Sequence, residues 1–492
     1  MPEPVVARGP FTVAVDQGTS ATKALLVAAD GTIAARASAP LSQSHPQPGW
    51  VEQDPEVLLE SVRGAVTELL SGFDGDVSGI GLSTQRESAL AWDRETGRAL
   101  SPVLGWQDRR TAERARRLAP HAARIREISG LPLDPMFSAL KLSWILDEVD
   151  PDRTASAAGR IAVGTVDSWL MNSLAGEHRI EVGNASRTQL LDLSTGDWSD
   201  ELLDLFDIPR PCLPRACASD APAANSAFDG IAIRAVLGDS HAALFGHGAR
   251  TPGDVKVTYG TGSSIMGLTD EVVTGPGLVG TIAWGLSVDR QNESGVARAF
   301  EGNILSTGAT VAWLAGLLGV APDAVAELAR SAQDSDGVDI VPAFAGLGAP
   351  WWDEDAVAIA SGMQLGTRGE HLARAAFESV ALQIEDVLSV AEREIGISIE
   401  RVLADGGPSR NSWLMQMQAD LSERTVRRHD GADLSALGAA TLAAEAAGIV
   451  DSCGFVADHT DFIPNPSFDA ASRRARWNRA VTRSRSSTDT NA

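Results

Sequence analysis

Two stretches of this chain carry the same unusual turn. VAVDQGTSATKALLV, residues 13–27, and VKVTYGTGSSIMGL, residues 255–268, each read as a strand, a Gly-Thr turn rich in small hydroxyl residues, and a second strand. They begin about 240 residues apart, half the length of a 492-residue chain. Such a repeat predicts a duplicated domain with one ligand shared between the halves. A chain of this length also exceeds what a single core usually organises, which independently favours two domains. Elsewhere apolar strands alternate with amphipathic helices, the pattern of an α/β protein.

The first half is expected to span residues 11–250 and the second 253–450, with Thr251-Pro252-Gly253 as the hinge and residues 451–492 as a C-terminal extension. Strands are predicted at 80–83 and 160–163, an amphipathic segment at 139–149, and helices at 371–395 and 434–447. The basic run 473–485 reads as a solvated terminal helix. The polar tail 484–492 is expected to be disordered.

Composition narrows the function. Hydrophobic residues make up 44% and charged residues 22%, and the three cysteines, Cys212, Cys217 and Cys453, show neither disulfide nor zinc spacing. That usage fits a reducing cytosol. The N-terminal residues lack a basic, apolar leader, and no uninterrupted apolar run reaches the ~20 residues of a membrane span. A formal net charge of −24 argues against nucleic acid as a partner.

GxxxxGK[ST] and the protein-kinase HRD and DFG motifs are absent, which leaves the two hairpins to handle phosphate. A Gly-Thr-Ser turn offers backbone amides and hydroxyls with no bulk to keep phosphate oxygens away. Asp16 before the first turn suits a Mg²⁺ ion held through water, and Lys23 adds a positive charge. DQGTS reads equally well as an ordinary β-turn. Asp239 closes an apolar run and opens a helix, so it reads equally as a proton acceptor or an N-cap. Arg86 and Glu87 can grip vicinal hydroxyls or form a solvated pair. Trp106 can wall a sugar or fill core, and His241 reads as a packed helix histidine. The Gly-Gly of VLADGGPSRN, 402–411, reads as a turn.

Taken in order, these segments resemble the FGGY family of carbohydrate kinases, and within it the glycerol kinases. The resemblance runs from about residue 11 to about residue 450. It rests on DQGTS (16–20), STQRE (83–87), WQDRRTA (106–112), GTVDSWL (164–170), NASRT (184–188), GDSHAALFG (238–246), YGTG (259–262), PAFAGLGAPWWD (342–353) and DGG (405–407). MFSALKLSWILDE, 136–148, satisfies the family's first signature, and 358–378 fits the second with one weak position at Ala360. The resemblance implies two ribonuclease-H-like domains, as in actin and hexokinase, with the active site in the cleft between them. It implies Asp239 as general base and Asp16 as the carboxylate near Mg²⁺. It implies ATP or ADP held by Thr19, Ser20, Lys23, Thr261, Gly308, Gly407 and Asn411, and a polyol held by Arg86, Glu87 and Trp106. A homodimer or homotetramer is left open. A nonenzymatic actin-like ATP-binding protein has no use for the Arg86, Glu87 and Trp106 grip, and a sugar-sensing pseudokinase has none for an intact Asp16 and Asp239.

Three departures bear on the substrate. Met136 stands where glycerol kinases have Tyr, Ser264 where they have Phe, and Ser240 where a Gln follows the base. Losing the Phe ring removes roughly 2–3 kcal/mol of apolar burial if the space stays empty. Asp108 replaces a nonpolar residue near Trp106. Together these changes predict a pocket for a tetritol or ketopentose, with Ser240 and Asp108 taking its extra hydroxyls. Ala312, where glycerol kinases have Gln, matters less, because backbone contacts can hold adenine. The segment 225–239, NSAFDGIAIRAVLGD, lacks the glycine- and arginine-bearing pattern that glycerol kinases use for fructose 1,6-bisphosphate. Steady-state rates are therefore expected to be unchanged by that bisphosphate at physiological concentration, and clear inhibition would contradict this reading.

Overall fold

The computed structural model describes residues 9–287, 295–451, 454–455 and 458–485. Cys453, the N-terminal residues 1–8 and the tail beyond residue 485 lie outside the described residues. The apolar run FTVAVDQ forms β1 (Phe11–Gln17), which lies at the centre of a five-stranded sheet with β2 (Ala21–Ala28), β3 (Ile33–Pro40), β4 (Val77–Thr84) and β5 (Ile233–Gly238). The order is β5-β4-β1-β2-β3. β1, β2 and β3 form an antiparallel meander, while β4 and β5 run parallel to β1. Strands buried on both faces, such as β1 and β4, read as continuous apolar runs for this reason. At the sheet edge, β3 instead alternates between exposed and sheltered positions.

β5 feeds α1 (Asp239–Gly246), and the chain then repeats the arrangement. β6 (Val255–Tyr259), β7 (Ser263–Thr269), β8 (Val279–Gly285) and β9 (Val296–Ile304) are followed by α2 (Gly308–Leu318) and the 27-residue α3 (Gly369–Ile395). β10 (Arg401–Gly406), β11 (Thr425–His429), α4 (Leu434–Ala446), β12 (His459–Phe462) and α5 (Ala470–Ser484) complete the described chain. The second sheet is ordered β8-β9-β7-β6-β10-β11-β12. Here β6, β7 and β9 make the meander and β10 and β11 the parallel pair, so the sequence repeat is a repeat of fold. Both repeated turns, 18–20 and 260–262, close tight hairpins, with Asp16 opposite Lys23 and Thr258 opposite Ser264.

α4 crosses the expected division of the chain. Although it follows β11 of the second sheet, it packs on β1, β4 and β5 of the first, burying Ala436 and Ala440 against Ala14, Leu25 and Val27. Small residues allow the backbones to meet. A Cβ on Gly438 would lie 1.8 Å from the Ala242 carbonyl oxygen of α1, and one on Gly81 would lie 2.0 Å from that of Ala439. The apolar cluster around α1 then joins the two sheets, with Leu237, Ala242 and Phe245 against Met266, Trp284 and Leu403.

The basic run is less solvated than its composition predicts. In α5, Trp477, Ala480 and Val481 are buried, and Trp477 Nε1 donates to Asp386 at 2.8 Å. Arg473 pairs with Glu378 and Arg476 with Asp339, acids of the second domain that neutralise the run.

The α1–α4 crossing yields a test. Gly438→Ala is expected to lower stability by about 1–3 kcal/mol, because neither backbone can move without disturbing a sheet. Denaturant unfolding would measure the loss, and an unchanged midpoint would show slack at the crossing.

Candidate active site

The two hairpins face each other across a cleft of about 1190 Å³. Asp16, Thr19 and Lys23 of the first hairpin line it, as do Gly260, Gly262 and Ser264 of the second. Asp16 accepts from Ser83 Oγ at 3.0 Å, and burial together with the nearby Asp239 carboxylate raises its pKa to about 6. Lys23 Nζ reaches 2.7 Å to Asp433, which immediately precedes α4, so the first hairpin is tied to a segment from the other half. Ser20 is exposed at the turn tip and does not line the cleft. Thr261 is likewise exposed, and its carbonyl accepts the amides of Thr307 and Ala309 at 2.9 and 3.0 Å, stitching the start of α2 onto the second turn. Gly308 is required there, since a Cβ would meet the Gly260 oxygen at 2.6 Å.

At the floor, Asp239 is the first residue of α1, where the chain leaves the end of β5. The protein packed around it partly desolvates it and raises its pKa, an effect the Arg86 guanidinium opposes from 3.4 Å. The carboxylate still leaves 44% of its side chain open to the cleft. It therefore carries a proton-accepting group toward whatever binds there.

Arg86 and Glu87 are not a solvated pair. Glu87 has φ 60°, and the Ser88 amide donates to the Arg86 carbonyl at 2.7 Å, so the turn is tight and strained. Two residues that sequence reasoning gave no role hold it. Arg187 Nε lies 2.6 Å from Glu87, and Glu301 of β9 takes Arg86 Nη1 at 2.5 Å and Arg187 Nη1 at 3.3 Å. All four side chains are at most 10% exposed. The guanidiniums hold the Glu301 carboxyl well below its ordinary range despite burial. A lone acid in the apolar strand sequence ARAFEGNI was the available signal, since a buried charge needs a partner. His241 packs beside this group as expected, and burial lowers its pKa to about 4, leaving it neutral.

The remaining wall is polar. Lys256 is fully buried and donates to Ser240 Oγ and Thr258 Oγ1, each at 3.0 Å. Strand register sets Thr258, Ser264 and Asn303 side by side on β6, β7 and β9, and all three line the cleft. Lys256 and Asn303 were not foreseen. Opposite them stand Trp106, whose Nε1 donates to Thr19 Oγ1 at 3.1 Å, and Met136. Buried Lys141 donates to the carbonyls of Pro135, Met136 and Phe137 and so fixes the turn that presents Met136; burial lowers its pKa to about 7.

Asp108 corrects an expectation. It has no exposed surface and accepts the Val51 amide at 2.7 Å and Arg110 Nη2 at 2.8 Å. Arg110 in turn lies over the Trp50 ring, so the Asp108 carboxylate is consumed inside the domain and has no hydroxyl to bind in the cleft.

At the far end Gly406 and Gly407 line the cleft beside Asp405, which His247 approaches at 2.7 Å. Gly406 has φ 94°, and a Cβ there would fall 2.0 Å from the Tyr259 oxygen, so glycine serves the turn as well as the open floor. Asn411 caps the helix Ser412–Ser422, its Oδ1 accepting from Trp413, Leu414 and Arg330, and it stands outside the cleft lining.

Residues 11–246 match the N-terminal domain of the FGGY family of carbohydrate kinases, and residues 255–447 match its C-terminal domain. The chain belongs to that family. Among curated relatives of this kinase, the glycerol kinase of Citrifermentans bemidjiense is 42% identical over 462 residues, covering 91% of this chain and 92% of its own. That of Alkalilimnicola ehrlichii is 40% identical over 488 residues, covering 96% and 97%. Among solved structures, Plasmodium falciparum glycerol kinase with ADP superposes with a TM-score of 0.90 at 27% identity, covering 96% of this kinase and 98% of that chain. Rhodospirillum rubrum xylulose kinase gives 0.86 at 25% identity, covering 96% and 99%.

The buried ion pairs of the kinase give a second test. Glu301→Gln leaves two buried guanidiniums with one carboxylate fewer, and is expected to cost about 3 kcal/mol of stability. It should also raise KM for the alcohol substrate more than KM for ATP. Chemical denaturation and steady-state kinetics would check both, and wild-type values in both would deny the network its role.

Proposed function

We propose that the cleft moves the γ-phosphoryl group of ATP onto a terminal hydroxyl of a small polyol or sugar, with Asp239 accepting that hydroxyl's proton. The observation that carries this reading is the open carboxylate of Asp239, raised in pKa yet flanked by Arg86, at the meeting point of the two phosphate-type hairpins. Arg86 and Glu87 orient the alcohol, one donating and one accepting, and Trp106 covers its carbon skeleton. Thr19, Lys23, the turn at Thr261 and Gly308, and the floor at Gly407 hold the nucleotide, with Ser20 and Asn411 at its margins. Positioning and charge stabilisation account for most of the rate in such transfers.

The donor set suits a magnesium ion. Among the described residues no three His, Cys, Asp or Glu side chains cluster as metal ligands, and Asp16 and Asp239, at strand ends of the first sheet, repel each other. One or two carboxylates beside phosphate oxygens is the usual protein share of a Mg²⁺ site. Asp16 would hold the ion, which when bound neutralises the phosphates.

The substrate reading follows the polar wall. Met136, Ser240 and Ser264 replace bulk seen in glycerol kinases, and Asn303 joins them in the lining. A tetritol or ketopentose fits that wall better than glycerol does, with Asn303 in the place first given to Asp108. Glycerol itself is the second reading, supported by curated relatives named glycerol kinase at about 40% identity over most of the chain.

Turnover compared across glycerol, erythritol, threitol, xylulose and ribulose separates the two, and a clear preference for glycerol would end the longer-substrate reading. Asp239→Asn is expected to lower kcat by about a thousandfold while substrate still binds. Because Asp239 titrates above an ordinary carboxylate, it loses its proton only at higher pH. The acid limb of kcat/KM should therefore lie above the ordinary carboxylate value of 3.8. Near-normal turnover in Asp239→Asn would remove the residue from its role.

A further inference from the structure

We propose that a second pocket, in the first domain and sharing no lining residue with the cleft, binds a small phosphate monoester. It encloses about 490 Å³ and is lined by Arg94, His178, Arg210 and Arg215, with Asp197 as its one acid and Trp198, Leu213 and Pro214 as its apolar part. Parallel pairing of strands Arg179–Glu181 and Arg215–Cys217 creates it, placing Arg215 next to the His178 carbonyl at 3.3 Å. Arg94 enters from the turn after strand Ala89–Asp93, and the His178 ring stands edge-on to Trp92 with centroids 5.7 Å apart.

Charge selects the ligand. Arg210 is already neutralised, lying 2.8 Å from Asp200 and 3.5 Å from Asp197. Arg94 and Arg215 form no ion pair among the described residues, in a chain whose net charge is −24. Two uncompensated guanidiniums match a phosphate monoester, which carries about −1.5 to −2 near neutral pH. The guanidinium fork also fits phosphate oxygens in pairs. The Nε2 of His178 is buried and has no hydrogen-bond partner among the described residues, and burial beside Arg94 lowers the ring's pKa to about 4, so at neutral pH the positive charge of the pocket comes from its arginines. The volume lies within the range of small-molecule sites. Its short apolar wall suits a few carbons and offers no slot for a nucleobase. Inorganic phosphate shares the anionic chemistry, as do the phosphate esters a carbohydrate kinase makes.

Calorimetric titration of the full chain, without ATP, with inorganic phosphate and separately with glycerol 3-phosphate tests this. At low ionic strength wild type should bind at least one probe. Arg94→Ser/Arg215→Ser should weaken that binding at least tenfold while kcat, both KM values and the melting temperature stay within twofold or a degree of wild type. Tighter binding of glycerol 3-phosphate identifies an ester site, and equal binding identifies a site for phosphate alone; each supports the shared chemistry. No binding of either probe, or binding undiminished in the double variant and hence located in the cleft, overturns the proposal. Kinase activity is read separately, so failure here leaves the cleft assignment standing.

Discussion

The functional geometry hangs on one buried interaction, the pairing of Arg86 and Arg187 with Glu87 and Glu301. Three of these residues come from the first domain, and Glu301 comes from β9 of the second sheet. Taking such charges out of water costs several kcal/mol each, which only close opposite charges can offset. The partners therefore have to arrive together. Their meeting ties the two sheets together at the cleft floor, supports Glu87 at its positive φ, and leaves Arg86 beside Asp239.

Apolar contacts set the frame in which that network forms. Where α1 and α4 cross, glycines at 246 and 438 remove the side chains that would keep backbones apart, and Gly81 does the same beneath α4. α1 begins at Asp239, so the crossing that fastens the domains also orients the Asp239 carboxylate. The Lys23–Asp433 pair ties the first hairpin to the start of α4.

Local signals exposed part of the site. The hairpins at 16–23 and 255–264, the strand-to-helix position of Asp239 and the strand-end position of Arg86 and Glu87 are all properties of short segments, and short segments report them. Arg187, Glu301 and Asn303 escaped because their roles depend on neighbours more than a hundred residues away or on cross-strand register, and Lys256 because only the folded core buries it beside Ser240. Asp108 misled for the same reason: in sequence it adjoins Trp106, yet Arg110 two positions on turns it inward, away from the cleft that Trp106 faces.

Sequence by itself determined the α/β class, the duplication, the two matching Gly-Thr turns and the kinase family, since each is written in periodicity or contiguous motifs. Tertiary structure alone decided that α4 crosses to the first sheet, that the basic C-terminal run is neutralised by buried acids, and that Ser264, Thr258 and Asn303 form one polar wall. Burial and charge pairing are sums over the whole fold, so a residue's protonation and partners exist only once distant strands have met.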